Sequence, residues 1–539
     1  MSTLFDALHE GADAVVRALR AGASAETADE DGETVLYRAA VANEPGIVRL
    51  LLAAGADPAR GSGEEAGDLP LCGAACGGHA EVVRALLAAG AAADQAEAYG
   101  FTALDWAVRL GHAETVRILL EHGAAPSRPG PDGLPPLVAA ARRGSTASVR
   151  ALLEFGAGPA EDALREARRW IGVDIAGELR RGLLDTGGPG GAGGPESAGG
   201  PEGTGGHGAA GGPEGAGGPE GAGGPEGAGG PEGAPETVVR RVREDGGVTV
   251  VVDVLREDGA PSRGNEQQTG HAAIATLLEG ALGVRVAPEE LASRALRCGD
   301  PELDDWKEAV RALGARDDEE SFRAASAWCA SQDPLRRALG ARVLGALDSF
   351  TPRGLPVLRR LAAEAARGEG PATPGTAREP ALSVAVALGQ YGEAEALPEM
   401  LGLAAHPDVE VRRALGCALT GPVPAGDPVA VATLVALSRD HDHGVRDWAT
   451  LALAEVPEDT PVLREALAAR LADDDEDTVA EAARGLAMRQ DPRAVEVLAS
   501  ILADGDPEGT ARDTALAAVE YIKDPRVRTR LEWTSPRCR

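Results

Sequence analysis

The sequence predicts a mainly α-helical protein in which two α-solenoids, each an array of short helical repeats, are joined by a disordered linker. Gly-Ala pairs recur about every 33 residues in the first part of the chain. Markers containing Asp and Val-Arg recur with a step of 34 residues in the last part. Between the two, residues 186–236 repeat a Gly-Pro-Glu-Gly-Ala-Gly unit with too few apolar side chains to offset the entropy of an ordered backbone.

The first array is visible as a series of Gly-Ala pairs. The intervals between their glycines are 33, 35, 33 and 33 residues, for Gly22, Gly55, Gly90, Gly123 and Gly156. An apolar run with helical spacing precedes each pair, as Val83, Leu86 and Leu87 precede Gly90. Each glycine is therefore expected just beyond the C-terminus of a helix, where a left-handed residue is favoured.

Further motifs keep the same step. Two segments read Gly78-His79-Ala80-Glu81 and Gly111-His112-Ala113-Glu114, and two others begin Asp31-Gly32 and Asp132-Gly133. With these motifs, residues 1–158 resemble the ankyrin repeat family, in about five repeats. The resemblance implies paired helices, short β-hairpin fingers and a concave face that contacts other proteins. We expect lower stability than in consensus repeats, because the family's usual His is replaced in every copy, by Tyr37, Cys72, Asp105 and Val138.

The middle of the chain is predicted to contain three different segments. Residues 159–185 have helical spacing and should form a capping helix, because a terminal repeat must cover its apolar face. Residues 186–236 are the predicted linker. Residues 237–256 alternate around Asp245-Gly246, which predicts a β-hairpin. We expect the parts on either side of the linker to fold independently.

The second array is predicted at 257–539. Its markers are Asp333-Pro334-Leu335-Arg336-Arg337, Asp408-Val409-Glu410-Val411-Arg412, Asp442-His443-Gly444-Val445-Arg446 and Asp477-Thr478-Val479-Ala480. These markers resemble the short bacterial form of the HEAT repeat over about 330–530. At each marker, Asp should cap a helix, Val should enter the core and Arg should pair with a carboxylate. Whether residues 257–330 are true repeats stays open.

Four polar clusters are better explained by structure than by chemistry. The segments Asp440–His443 and Asp473–Asp477 are predicted to be turns and helix caps, and the second lacks the ligand spacing of a calcium loop. Cys72 and Cys76 have no second ligand pair nearby in the sequence. In the polar run Asn265–His271, Thr269 is a candidate N-cap and His271 lies in the first turn of a helix. We therefore expect no metal, no cofactor and no catalytic residue.

The candidate binding site is the groove of the ankyrin-like array. The repeat register assigns to this face and its fingers Arg38, Tyr99, Phe101, Trp106, Arg109, Arg142 and Arg143. Aromatic and Arg side chains dominate binding hot spots, although Trp106 could instead pack only against neighbouring repeats. Arg109 has Asp105 four residues before it, whereas Arg142 and Arg143 have no carboxylate within four residues. We expect these two to be free to bind an acidic, partly apolar protein segment.

Composition narrows the function. The net charge of −32 disfavours nucleic acid as a partner. Six cysteines show no disulfide framework, and no apolar run approaches the ~20 residues of a membrane span, so we expect a cytoplasmic monomer without membrane contact. The leading hypothesis is a non-catalytic scaffold whose two tethered arrays bind other proteins. The alternative is a HEAT-like lyase or another enzyme that handles small molecules.

Overall fold

The computed structural model describes residues 4–63, 67–185, 236–244, 246–256, 258–368, 378–421, 427–506 and 509–534. The predicted linker lies outside these residues except for Glu236, and so does Asp245 of the predicted hairpin turn. The described residues are mainly helical, as predicted, with one small sheet.

The chain forms two compact units. Unit 1 consists of Met1–Val286 with Glu302–Glu308, and unit 2 consists of Ala287–Pro301 with Ala309–Arg539. This division does not coincide with the two predicted parts, because the described residues of 236–286 pack with the N-terminal array. A change of composition marks the low-complexity segment, but it carries no information about which surfaces pack together.

Unit 1 begins with a series of helices, most of which pack against each other in consecutive pairs. They are α1 (Leu4–Glu10), α2 (Ala12–Arg20), α3 (Val35–Val41), α4 (Pro45–Ala53), α5 (Pro70–Cys76), α6 (Ala80–Ala88), α7 (Ala103–Leu110), α8 (Ala113–Glu121), α9 (Pro136–Arg143), α10 (Thr146–Glu154), α11 (Ala160–Trp170) and α12 (Ile175–Asp185). Hydroxyl caps fix several N-termini: the side chains of Thr34, Thr102 and Ser145 accept first-turn amides of α3, α7 and α10.

The glycines of the Gly-Ala pairs follow α2, α4, α6, α8 and α10. All five have positive φ, between 76° at Gly156 and 99° at Gly90. The prediction of a left-handed residue beyond each helix is confirmed.

Short β-bridged fingers connect several helix pairs. The bridges join Ala28 with Thr34, Ser62 with Asp68, and Ala96 with Thr102. Adjacent fingers are linked through the backbone, since Ala98 N donates to Gly67 O at 3.0 Å. Successive first helices and fingers therefore stand side by side and form one face of the array.

A three-stranded sheet follows the predicted linker within unit 1. Its antiparallel strands are β1 (Thr237–Glu244), β2 (Gly247–Leu255) and β3 (Pro261–Gln268), in the order β1-β2-β3. The predicted hairpin region contains β1 and β2, whereas β3 has no alternating apolar residues to indicate it. Helix α12 buries Ile175 and Leu179 against Val239 and Val250 of this sheet. Helix α13 (His271–Ala281) comes next.

One apolar core runs through the array. Val48, Val83, Val116 and Val149, which share a repeat position, are fully buried in it. The same core includes Leu278 of α13. Helix α13 therefore packs as part of the N-terminal array.

The remaining helices continue to the C-terminus. They are α14 (Pro288–Leu296), α15 (Asp304–Arg316), α16 (Glu319–Trp328), α17 (Pro334–Gly345), α18 (Thr351–Ala366), α19 (Arg378–Tyr391), α20 (Leu397–Leu401), α21 (Val409–Ala418), α22 (Pro428–Leu437), α23 (His443–Glu455), α24 (Pro461–Ala468), α25 (Glu476–Met488), α26 (Arg493–Asp504), α27 (Thr510–Val519) and α28 (Pro525–Thr534). Short 3₁₀ turns lie at Asp348–Phe350, Ala394–Ala396 and Gly402–Ala405.

The Asp and Val-Arg markers behave as expected in the two best copies. Asp442 caps α23 through the Val445 amide at 3.0 Å, and Val445 is fully buried. Arg446 binds both carboxylate oxygens of Asp473, at 2.7 and 2.9 Å. Asp408 and Val411 have the same roles in α21. Each arginine thus ties its own helix to the turn of the next repeat.

The third marker was predicted in the wrong register, with its Asp two residues and its buried position one residue too far along the chain. Asp475, not Asp477, caps α25, and Thr478, not Val479, is fully buried. The step from Asp442 to Asp475 is 33 residues rather than 34. The error arose because the acidic run offers several possible caps, and the sequence does not show which one begins the helix.

None of the helices in the described part of the chain is both long enough and apolar enough to cross a bilayer.

Candidate functional site

The candidate groove lies on the face formed by the first helices of the repeats and their fingers. Arg38, Gly73, Trp106 and Ala139 each stand two residues after the leucine that marks the repeat. These positions lie on α3, α5, α7 and α9, which neighbour one another in that order. The repeat register therefore gives the groove one variable side chain per helix.

An aromatic cluster is built around Trp106. The rings of Phe101 and Trp106 lie 4.8 Å apart between centroids, and the guanidinium of Arg109 lies 4.8 Å from the Phe101 centroid. The Trp106 indole donates to Glu97 Oε1 at 2.7 Å. Tyr99, at the tip of the same finger, is 73% exposed. Finger and helix thus present four of the predicted residues together.

The sequence suggested that Arg109 pairs with Asp105, but the structure shows no such pair. The Arg109 guanidinium binds Asp132 of the next finger. Asp105 is instead buried in a capping box with Thr102, whose amide donates to Asp105 Oδ2 at 2.9 Å. The i,i+4 spacing did not predict the partner of Asp105, because this carboxylate caps the N-terminus of α7 instead.

Arg38 lies at the other end of the groove. It pairs with Glu33 and with Asp29, the latter at 3.4 Å, and its guanidinium lies 5.4 Å from the Phe5 centroid. Its positive charge is therefore offset by carboxylates of its own finger.

The expectation that Arg142 and Arg143 are free of carboxylates is wrong. Arg142 binds Glu166 of α11 at 3.0 Å, and Arg143 pairs with Glu266 of β3. Arg143 is buried, with 8% exposure. The partners lie 24 and 123 residues away in sequence, so they are not among the residues of the same helix.

The charge left in the groove is negative. Asp68 and Glu97 form no ion pair with any residue that the structure describes. Burial raises the pKa of Glu97, and the nearby Asp68 and Asp105 add to the rise. Burial and Glu33 raise the pKa of Asp68 in the same way. Both carboxylates would therefore be stabilised by a cation brought to the groove.

The other polar clusters have structural roles. Asp440 pairs with Arg412 at 2.8 Å, which lowers the Asp440 pKa, while Asp442 caps α23. Asp473 binds Arg446, and Asp475 caps α25. Among the described residues, no group of three or more His, Cys, Asp or Glu is arranged to hold a metal ion.

The two cysteines of α5 differ in environment. Cys72 is buried in the array and Cys76 is exposed. Burial raises the pKa of both thiols. Neither is a low-pKa thiol of the reactive kind.

Most of the polar run before α13 belongs to a strand. Asn265–Gln268 belong to β3, and the residue that precedes α13 as its N-cap is Gly270, not Thr269. His271 lies in the first turn, as predicted, and its ring stacks on Trp170 at 5.4 Å between centroids.

Comparison with known families agrees with the geometry. A model described as ankyrin repeats (3 copies) matches residues 58–130, and a single ankyrin repeat matches residues 31–61. A model described as HEAT repeats matches residues 378–454. No curated protein matches the chain. Both kinds of repeat are generally protein-interaction modules. The chain thus carries ankyrin repeats at residues 31–130 and HEAT repeats at residues 378–454.

Proposed function

We propose that this protein is a non-catalytic adaptor that binds a protein segment in the groove of its ankyrin repeats. The observation that carries the proposal is the cluster of Phe101, Trp106 and Arg109 beside the exposed Tyr99. Aromatic and Arg side chains are the types that dominate hot spots at protein interfaces. Repeat arrays present them on extended concave faces.

The charge of the groove favours a basic, partly apolar partner segment. This reverses the acidic partner expected from the sequence, because Arg38, Arg109, Arg142 and Arg143 all pair with carboxylates of the chain itself. Asp68 and Glu97 remain to receive a Lys or Arg of the partner. Complementary charge of this kind raises association rates and selects against the wrong partners.

The HEAT repeats supply a second array in the same chain. Two binding surfaces on one chain raise the effective concentration of one partner near another. We therefore propose that the two arrays act as an adaptor for separate partners.

The groove proposal is tested with full-length protein on an array of random peptides. The retained peptides should be rich in Lys or Arg together with apolar residues. Trp106→Ala should weaken binding to them by about 2 kcal/mol. Tyr99→Ala should weaken it as well, whereas Tyr521→Ala, at an exposed tyrosine of unit 2, should not.

Two outcomes would contradict the proposal. One is unchanged binding by both groove variants while their helical content is retained. The other is retention of acidic peptides alone, which would exclude the proposed partner charge. Asp68→Asn gives a second measure, because loss of this carboxylate should reduce the salt dependence of binding.

A further inference from the structure

Helices α11 and α13 occupy the places of the next helix pair in the ankyrin array. In the preceding repeats each first helix packs on the first helix before it, and each second helix packs on the second helix before it. Helix α11 packs on α9 in this manner, α13 packs on α10, and α11 and α13 pack on each other. Yet Trp170, at the end of α11, and His271, at the start of α13, are 101 positions apart in sequence.

The histidine at the start of α13 makes the same contact as two histidines of the repeats. Nε2 of His79 hydrogen-bonds to Val41 O at 3.0 Å, and Nε2 of His112 to Cys76 O at 3.0 Å. Nε2 of His271 hydrogen-bonds to Arg142 O at 3.2 Å. The three carbonyls share one repeat position, five residues after Leu36, Leu71 and Leu137. His271 thus links α13 to the preceding repeat as an ankyrin histidine does.

A glycine lies beneath two of these rings, those of His112 and His271, at the same repeat position. A Cβ on Gly78 would lie 2.7 Å from the His112 ring, and a Cβ on Gly144 would lie 2.7 Å from the His271 ring. Both glycines have positive φ, 69° and 79°. Gly144 therefore leaves the space that the His271 ring occupies, as Gly78 does for the His112 ring.

The buried face of α13 follows the repeat pattern. Ile274, Ala275 and Leu278 stand four, five and eight residues after Gly270, as Val82, Val83 and Leu86 stand after Gly78. All six are fully buried in the same core. The motif Gly270-His271-Ala272 repeats Gly78-His79-Ala80, so the signal was present in the sequence but lay beyond the expected end of the array.

Ion pairs join the array to α13 and to α15, which follows later in the chain. Arg168 of α11 binds Glu279 at 2.8 Å, and Arg150 of α10 binds Glu308 at 2.9 Å. A backbone hydrogen bond adds to this contact, since Gly270 N donates to Gly144 O at 3.1 Å.

We propose that α11 and α13 are the two halves of one further ankyrin-type repeat, split in sequence by residues 171–270. The surface made by α9, α10 and α11 is then a binding site for a helix of this same chain. The predicted linker lies inside that repeat rather than between two independent parts. Covalent continuity through the linker is accordingly not required for unit 1 to hold together.

The first test cuts the full-length chain inside the predicted linker. Residues 211–220 are replaced by the recognition sequence of a specific protease, and the folded protein is cleaved. The two fragments should elute together in size-exclusion chromatography at low micromolar concentration. Separate elution of two folded fragments under these conditions would overturn the proposal.

A matched pair of glycine variants tests the seam in the cleaved protein. Gly144→Ala places a Cβ 2.3 Å from Gln268 O, whereas Gly123→Ala meets no atom within 4 Å, and both glycines have positive φ. Backbone strain is therefore comparable, but only Gly144→Ala should separate the fragments. Equal behaviour of the two variants would contradict the proposed seam.

A histidine pair gives a second measurement, in which side-chain atoms are removed rather than added. In the cleaved protein, His271→Ala should raise the dissociation constant of the fragments about tenfold, because one hydrogen bond and one ring contact are lost. His441→Ala, in an exposed turn of unit 2, should leave it unchanged. An unaltered dissociation constant for His271→Ala would show that this histidine does not hold α13 on the array, and would contradict the split repeat. None of these readouts depends on which partner the groove binds.

Discussion

Arg489 is a buried arginine whose guanidinium binds backbone carbonyls from two repeats. It donates to Ala454 O and Gly485 O at 2.9 Å each, and to Val456 O at 2.5 Å. Ala454 and Gly485 lie in α23 and α25, and Val456 is the C-cap of α23. The side chain therefore satisfies the carbonyls that the end of α23 leaves without an amide partner.

Arg489→Lys should destabilise unit 2 by about 2 kcal/mol. An ammonium has three donors and no planar fork, so it leaves buried carbonyls unpaired. Chemical denaturation of the full chain measures the loss, with Arg439→Lys, at an exposed arginine, as the control. Equal stability of the two variants would show that the carbonyls of α23 need no such partner.

Asp447 is a half-buried carboxylate on α23. Burial raises its pKa to about 6, and Asp475, Asp477 and Glu481 add to the rise against the opposing effect of His443. A pKa above the unfolded value means that this group favours folding when protonated. Its contribution is complete below about pH 4, the usual pKa of Asp, and is lost as the pH rises through about 6.

Asp447→Asn should therefore stabilise unit 2 at pH 8 and not at pH 4. The gain should be about 1 kcal/mol once solvent screening is allowed for. Melting curves from pH 4 to 8 follow the effect, and Asp474→Asn, at an exposed carboxylate of the next repeat, serves as the control. A gain that is the same at both pH values would assign it to another cause.

Arginine pairing in unit 1 could not be predicted from residues that are close in the sequence. The sequence assigned four arginines to the groove face from the repeat register alone, and one of them, Arg143, is buried. The sequence could not indicate that Arg143 pairs with Glu266, 123 residues away, since pairing follows from how the chain folds back. The prediction that these arginines bring free positive charge to the groove is therefore wrong.

At the scale of elements, a helix boundary is predictable where one cap residue stands alone. Thr102 begins α7 as the single candidate in its turn, and Asp442 begins α23, where the repeat marker distinguishes it from Asp440. In the acidic run before α25 several candidates compete, and the predicted cap was wrong. Strand β3 was missed because its residues are mainly exposed and polar, so that its pairing with β2 leaves no apolar alternation in the sequence.

Asp105→Ala should destabilise unit 1 by about 1 kcal/mol. The variant removes the carboxylate that accepts both the amide and the hydroxyl of Thr102, at 2.9 and 2.7 Å, at the start of α7. Thermal unfolding measures the change, and Asp13→Ala, at an exposed first-turn residue of α2, is the control. Retained stability in Asp105→Ala would mean that Thr102 alone is a sufficient cap.

At the scale of the whole molecule, the repeats were predictable and the place where the chain divides was not. Period, capping glycines and buried valines all follow from spacing along the chain. The division into units follows instead from a contact between α13 and a repeat that ended about 100 residues earlier. A pattern within one stretch of sequence does not predict a contact over this distance. The recurrence of Gly-His-Ala at Gly270 nevertheless identifies the helix that makes the contact.

Shortening the predicted linker tests whether it lies inside one repeat or joins two independently folded parts. If residues 186–235 closed a loop inside one repeat, the docked state of α13 would carry the entropy cost of closing that loop. This cost falls by roughly 0.6 kcal/mol for each halving of length. Deleting residues 201–230 reduces the segment from 50 to 20 residues and should stabilise the docking of α13 by about 0.8 kcal/mol.

Amide hydrogen exchange in α13 should then slow about fourfold. Replacing the same 30 residues by a shuffled sequence of equal length should leave it unchanged. If the linker instead joined two independently folded parts, neither variant would alter exchange in α13, and the split repeat would be excluded.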